Sequence, residues 1–271
     1  MNMNMNMKKS FTGTVGRLFV LIFVLVLLGG MMPGPAGAFV SGSGYVREED
    51  ITDSFKDANF LATVRSLINK PEGPIFSNDV DRITYLAIDS SNISSLSGIE
   101  HFIALTRLVC KNNNLTELDL SNNTALTGID CTRNQLTELD LSNNTKLTNL
   151  SCIENRLTEL DLSNNTALTY LSCYENQLTK LDLTNNTELT TLTCHENRLT
   201  ELNLSNCTKL RRLSCHENRL TALDLTNNTA LTDLSCYENQ LTELDLPNST
   251  ALKWINCHNN QLTELNISNN T

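Results

Sequence analysis

Nine cysteines, four histidines and thirty carboxylates are the groups through which this 271-residue chain could do chemistry. Eight cysteines (Cys110, Cys131, Cys152, Cys173, Cys194, Cys215, Cys236 and Cys257) recur every 21 residues, and Cys207 stands outside the file. Thiols in such number suggest disulfides or a metal site. His195-Glu196 and His216-Glu217 repeat at the same interval and suggest zinc, but no third ligand accompanies them. Glu117, Glu138, Glu159, Glu201, Glu243 and Glu264, with Asp119, Asp140, Asp161, Asp182, Asp224 and Asp245, form two acidic files. Calcium would relieve their repulsion, yet the Gly-rich phrase of calcium β-rolls is absent, so they read as a solvated ridge. No Ser/His/Asp set, phosphate loop or catalytic carboxylate pair is present. The expectation is a non-enzymatic protein with no catalytic residue, no cofactor and no metal.

The elements that carry these residues follow from the repeat. Leucine opens a copy at Leu105, Leu126, Leu147, Leu168, Leu189, Leu210, Leu231 and Leu252, with a divergent copy from Ile83. In the copy Leu168–Glu188 the apolar positions are Leu168, Leu171, Cys173, Leu178, Leu181 and Leu183. Period two around Leu171 and Cys173 marks a half-buried strand. Asn176 stands where the chain leaves that strand, and its amide can satisfy both kinds of backbone group in a stacked turn. The column runs without exception through Asn113, Asn134, Asn155, Asn176, Asn197, Asn218, Asn239 and Asn260. LxxLxCxxNxL is the leucine-rich-repeat signature. One copy cannot bury its own apolar face, so the fold is a solenoid with a continuous parallel sheet. The second half-copy, LTKLDLTNN, is too short for a helix and reads as an extended segment on the other face.

The rest of the chain divides around the repeats. Lys8, Lys9 and Arg17, the apolar run Leu18–Leu28 and Ala36-Gly37-Ala38 have the order of a secretory signal over residues 1–38, cleaved after Ala38. The apolar run is short for a membrane span. Residues 39–49 read as a linker. Residues 50–82 read as a helical N-terminal cap: Phe60, Leu61, Val64, Leu67 and Ile68 share one side, Asp57 can cap the first turn, and Pro71-Glu72-Gly73-Pro74 stops it. Residues 83–271 form the solenoid, about nine coils with no C-terminal cap. Losing residues 1–38 removes three positive charges and moves the formal charge from −10 to −13. An acidic exported protein is a poor partner for nucleic acid or anionic membranes, and no membrane insertion is expected after cleavage.

The helical segment Phe55–Ile68, the phrase Ile93-Ser-Ser-Leu96-Ser-Gly98-Ile99-Glu100 and the following copies resemble the bacterial internalins. That resemblance covers roughly residues 50–271 and rests on the repeat motifs. It implies a curved solenoid with its sheet on the concave face, exported by a bacterium and recognising a partner at a surface.

In-register neighbours on parallel strands lie about 4.8 Å apart, whereas disulfide-bonded Cβ atoms lie roughly 3.8 Å apart. Pairing would pinch the coils together, so the file reads as buried free thiols. Cys207 replaces the Asn found in other copies at its turn, Asn186 before it and Asn228 after it, and reads as a substitute hydrogen-bonding partner. Two outward columns carry the large side chains, and from the fourth 21-residue copy onward they hold Tyr170, Tyr174, His195, Arg212, His216, Tyr237, Trp254 and His258. Aromatic residues and Arg on a rigid sheet dominate binding hot spots. These eight are the candidate site for a protein or glycan ligand, on a host or neighbouring cell. Two further readings are a targeting module for an enzyme domain beyond Thr271 and a purely structural surface protein.

Overall fold

The computed structural model describes residues 48–246 and 250–265, all within the compact unit Ala38–Thr271. The expected signal segment and most of the linker lie outside the described residues. Nine strands, β1 (Tyr85–Ala87), β2 (Arg107–Val109), β3 (Gly128–Asp130), β4 (Asn149–Ser151), β5 (Tyr170–Ser172), β6 (Thr191–Thr193), β7 (Arg212–Ser214), β8 (Asp233–Ser235) and β9 (Trp254–Asn256), form one sheet in chain order. Every pairing is parallel. Tyr170 pairs with Thr191 and Leu171 with Leu192, so the 21-residue repeat is itself the register. The β1–β2 step pairs Tyr85 with Arg107, which absorbs the one extra residue of the first coil. The fold is a leucine-rich-repeat solenoid. Its second half-copies contribute turns and extended backbone without a named strand among the described residues.

The core is a file of identical layers. Leu168, Leu171, Cys173 and Leu178 have no exposure, and Leu181 and Leu183 are 5% and 1% exposed. All nine cysteines are free, buried from Cys110 to Cys236 and half-buried at Cys257. Burial pushes every in-register thiol up, Cys236 to about 12, and adjacent thiols push the same way for all but Cys257, the last of the file. They therefore stay protonated and pack as small apolar groups.

Two asparagine spines hold the turns. Asn176 Nδ2 donates to Cys152 O at 3.0 Å and Cys173 O at 3.1 Å, while its Oδ1 accepts from Leu157 N at 3.0 Å. One side chain thus ties two coils together. The second spine runs through Asn123, Asn144, Asn165, Asn186 and Asn228, all fully buried. Asn165 Nδ2 donates to Leu141 O and Asn144 O. Cys207 takes the matching place and directs its thiol to Leu183 O at 3.9 Å and Asn186 O at 3.8 Å, which is the substitution read from the sequence.

Before β1 lie a 3₁₀ turn at Thr52–Ser54, helix α1 (Ala58–Leu67) and the single-turn α2 (Ser77–Val80). Asp57 is the N-cap of α1: its Oδ1 accepts from Asn59 N and Phe60 N, and Oδ2 accepts from Ser94 N and Ser94 Oγ. One carboxylate both caps the helix and fastens it to the first coil. Phe55, Phe60 and Phe102 form a ring cluster at 5.6–6.5 Å. Gly98 adopts φ 101°, and a Cβ there would lie 2.5 Å from the Phe55 ring, so only glycine fits the turn of that phrase.

Candidate partner-binding face

Each strand sends its inward side chains to the core and leaves three outward positions per coil. The first outward column reads Arg107, Gly128, Asn149, Tyr170, Thr191, Arg212, Asp233 and Trp254. The third reads Lys111, Thr132, Ile153, Tyr174, His195, His216, Tyr237 and His258. The parallel register puts equivalent residues of adjacent coils side by side, and in the third column this produces a continuous ring stack. Tyr174, His195, His216, Tyr237 and His258 stack in that order with centroids 4.1, 4.2, 4.2 and 4.6 Å apart and interplanar angles of 14–15°. Tyr170, Arg212 and Trp254 stand apart from the stack on β5, β7 and β9. Trp254 is 50% exposed, and Arg212 Nε lies 3.7 Å from Asp233 Oδ2. The eight expected residues therefore form one five-membered stack and three separate side chains on the same face.

Four rings of the stack are held towards their neutral forms. Burial and the neighbouring His216 hold His195 down at about 4. Burial also lowers His216, opposed by Glu217 and Glu238. Burial and the nearby carboxylates of Glu175 and Glu154 raise Tyr174, and burial and Glu217 raise Tyr237. At neutral pH the stacked pair His195 and His216 is uncharged, so its close stacking carries no like-charge penalty.

Two features of this face were not read from the sequence. The middle outward column, Ser151, Ser172, Thr193, Ser214, Ser235 and Asn256, is small and polar, and Ser172 and Ser235 are only 1% and 5% exposed. The second feature is a file of glutamates, Glu154, Glu175, Glu196, Glu217 and Glu238, directly after the ring column and all at φ 51–54°. The recurring triplets Tyr174-Glu175-Asn176, His195-Glu196-Asn197, His216-Glu217-Asn218 and Tyr237-Glu238-Asn239 carried that signal.

The chemistry open to the face is limited. His216 Nδ1 lies 3.1 Å from Ser235 Oγ and 3.4 Å from Ser214 Oγ. No carboxylate lies within 4.0 Å of either His216 ring nitrogen among the described residues, so the pair has no carboxylate to orient its imidazole, and Ser235 is 5% exposed. Among the described residues no three His, Cys, Asp or Glu side chains converge as a metal site. The other acidic files line an open groove of about 1110 Å³ with Glu117, Asp119, Glu138, Asp140, Glu159 and Asp161. Their aspartates have local work: Asp119, Asp140 and Asp161 Oδ1 each accept from the backbone N–H two residues on, at 2.9 Å. The serine hydrogen bonds hold these carboxyls below the usual range.

Sheet, asparagine spine and buried cysteine file together define a leucine-rich-repeat protein whose solenoid is similar to those of the internalins. The particular likeness is to internalin J of Listeria monocytogenes serotype 4b, 41% identical over 77 residues, which are 28% of this chain and 8% of that protein. The solved functional domain of InlJ from Listeria monocytogenes, described as including a cysteine ladder, matches with a TM-score of 0.68 and 40% identity over 82% of this chain and 55% of that one. An internalin (inlF) from the same species matches with a TM-score of 0.67 at 24% identity, over 82% of this chain and 75% of that one, a likeness of fold alone. No known family profile matches the chain. The chain spans about half the length of the InlJ domain and under a tenth of internalin J.

Proposed function

We propose that this protein is an exported, non-catalytic recognition module that binds a protein partner through the exposed face of its sheet. The observation that carries the reading is the five-ring stack from Tyr174 to His258, flanked by Tyr170, Arg212 and Trp254. A stack held in place by the coils beneath it is preorganised, so a partner meets it without the entropy of ordering loose side chains. The orientation of the rings favours protein over glycan. A sugar packs its C–H surface on an aromatic face, and the faces within this stack are covered by one another. What stacking leaves free is ring edge, which suits the side chains and hydrogen-bonding groups of a polypeptide. Residues 50–82 serve as the cap of the core, and residues 1–38 as the export signal. No helix among the described residues is long and apolar enough to cross a membrane.

The test is capture from a surface-protein fraction with wild type and with Tyr174→Ala, Trp254→Ala and the double variant, repeated after protease treatment of the fraction. Capture should vanish on proteolysis, and each substitution should weaken it by about 2 kcal/mol or more where the residue is a hot spot. Undiminished binding by the double variant would move the interface off this face. Capture that survives proteolysis would return the glycan reading.

A further inference from the structure

The glutamates beside the ring stack name the kind of partner. The left-handed backbone position after the third outward column is taken by Asn112 and Arg133 in the early coils, then by Glu154, Glu175, Glu196, Glu217 and Glu238, then by Asn259. Asparagine is the inexpensive residue for that backbone, and glutamate gains nothing there locally. Glu154 is compensated by Arg133, whose Nε lies 2.7 Å from Glu154 Oε1. Glu175, Glu196, Glu217 and Glu238 have no cation within 4.0 Å among the described residues. Arg198 and Arg219, two residues further along, do not reach them, and Arg212 is turned to Asp233. Burial and the carboxylates of Glu175, Glu217 and Glu154 hold Glu196 above the ordinary carboxyl range. Tyr237 Oη donates to Glu217 Oε1 at 3.4 Å, so the file and the stack share one surface. The groove on the other side is as acidic, but its aspartates accept hydrogen bonds within their own turns and no aromatic side chain lines it among the described residues.

We propose, building on the recognition reading above, that the β5–β9 face docks an extended protein segment bearing lysine or arginine at alternate positions. Its cations lie along the four uncompensated carboxylates, and its backbone and remaining side chains lie over the stacked rings. The dimensions agree. Four carboxylates on successive coils span about 14 Å at one strand spacing each, and side chains i, i+2 and i+4 of an extended chain span about 13–14 Å. Three cations on one side of a strand therefore match the file, whereas contiguous lysines alternate between the two sides. The match of charge sign selects this occupant over an acidic or neutral segment.

A labelled ten-residue peptide of alternating Lys and Thr is titrated into the full chain by fluorescence anisotropy. Wild type should bind, more weakly as salt rises. The Glu175→Gln/Glu196→Gln/Glu217→Gln/Glu238→Gln variant should lose roughly tenfold or more in affinity, because four attractive contacts go together. The charge-matched Glu117→Gln/Glu138→Gln/Glu159→Gln/Glu201→Gln variant should stay within about twofold, since its changes lie off the face. An equal loss in both variants, or no binding by wild type, overturns the proposal. Neither set removes a buried group, and circular dichroism melts confirm that both fold. The two readings fail separately. A captured protein partner that needs Tyr174 and Trp254 but ignores the first glutamine set leaves recognition standing and sinks the cationic segment. A partner indifferent to Tyr174 and Trp254 sinks recognition through this face itself.

Discussion

Truncating Asn176 tests the reasoning about what holds the coils together. Its amide reaches Cys152 O, Cys173 O and Tyr174 O and accepts from Leu157 N. In Asn176→Ala the losses are unequal. Cys152 O keeps its bond from Asn155 Nδ2, Cys173 O keeps Asn197 Nδ2, and Tyr174 O keeps the Glu154 amide. The Leu157 N–H, on a residue with no exposure, has no other partner. One orphaned buried donor costs about 1–3 kcal/mol, and the shared acceptors add less. Asn176→Asp separates the two halves of the amide. It retains the acceptor for Leu157 N but directs a carboxylate at the Cys152 and Cys173 carbonyls, with the side chain 8% exposed. At neutral pH it should be less stable than Asn176→Ala. Its carboxyl is raised in the folded state, so its stability should recover as pH falls towards that raised value. Urea denaturation followed by circular dichroism, with hydrogen exchange at Leu157, measures both. If Asn176→Ala changes stability by less than about 0.5 kcal/mol, or if Asn176→Asp is the more stable of the two at pH 7, the spine is not the tie described.

Two further outcomes follow from the buried thiols and from the ring stack. The native thiols should resist alkylation, with half-buried Cys257 reacting first and all nine reacting after unfolding; dithiothreitol should leave the melting point unchanged, and a reductant-dependent shift would reveal disulfides. His195 is depressed to about 4, so between its unfolded value near 6.5 and about 4 the unfolded chain binds a proton that the folded chain does not. Stability should therefore fall as pH drops through that window, partly offset at its acid end by the raised carboxyl of Glu196. His195→Phe, which keeps a ring in the stack, should flatten the pH dependence of the melting point between pH 7 and 5; an unchanged slope would show that His195 titrates normally.

The architecture was legible because the repeat is strict. A 21-residue period with Leu171, Cys173 and Asn176 in fixed places specifies strand, core and turn together, and stacking of like on like leaves one register, seen as Leu171 beside Leu192. Asp57 as a cap, the stop before Pro74 and the exchange of Cys207 for asparagine are local or column-wise facts, and a linear text carries those. The eight candidate residues could be placed on one face by alternation alone.

How those side chains meet across coils belongs to the tertiary structure. Alternation says that Tyr174, His195, His216, Tyr237 and His258 point outward, but not that their rings lie face to face at 4.1–4.6 Å. Rotamers of neighbouring coils settle together, each ring taking the position that stacks on the next. The acidic files divide for the same reason. Asp140 and Asp161 accept hydrogen bonds within their own turns, while Glu175, Glu196, Glu217 and Glu238 stand beside the ring stack with no cation within 4.0 Å among the described residues. In the sequence they are all carboxylates at one period. Only the distances between side chains of different coils, which no spacing along the chain encodes, separate a structural acid from one left facing outward.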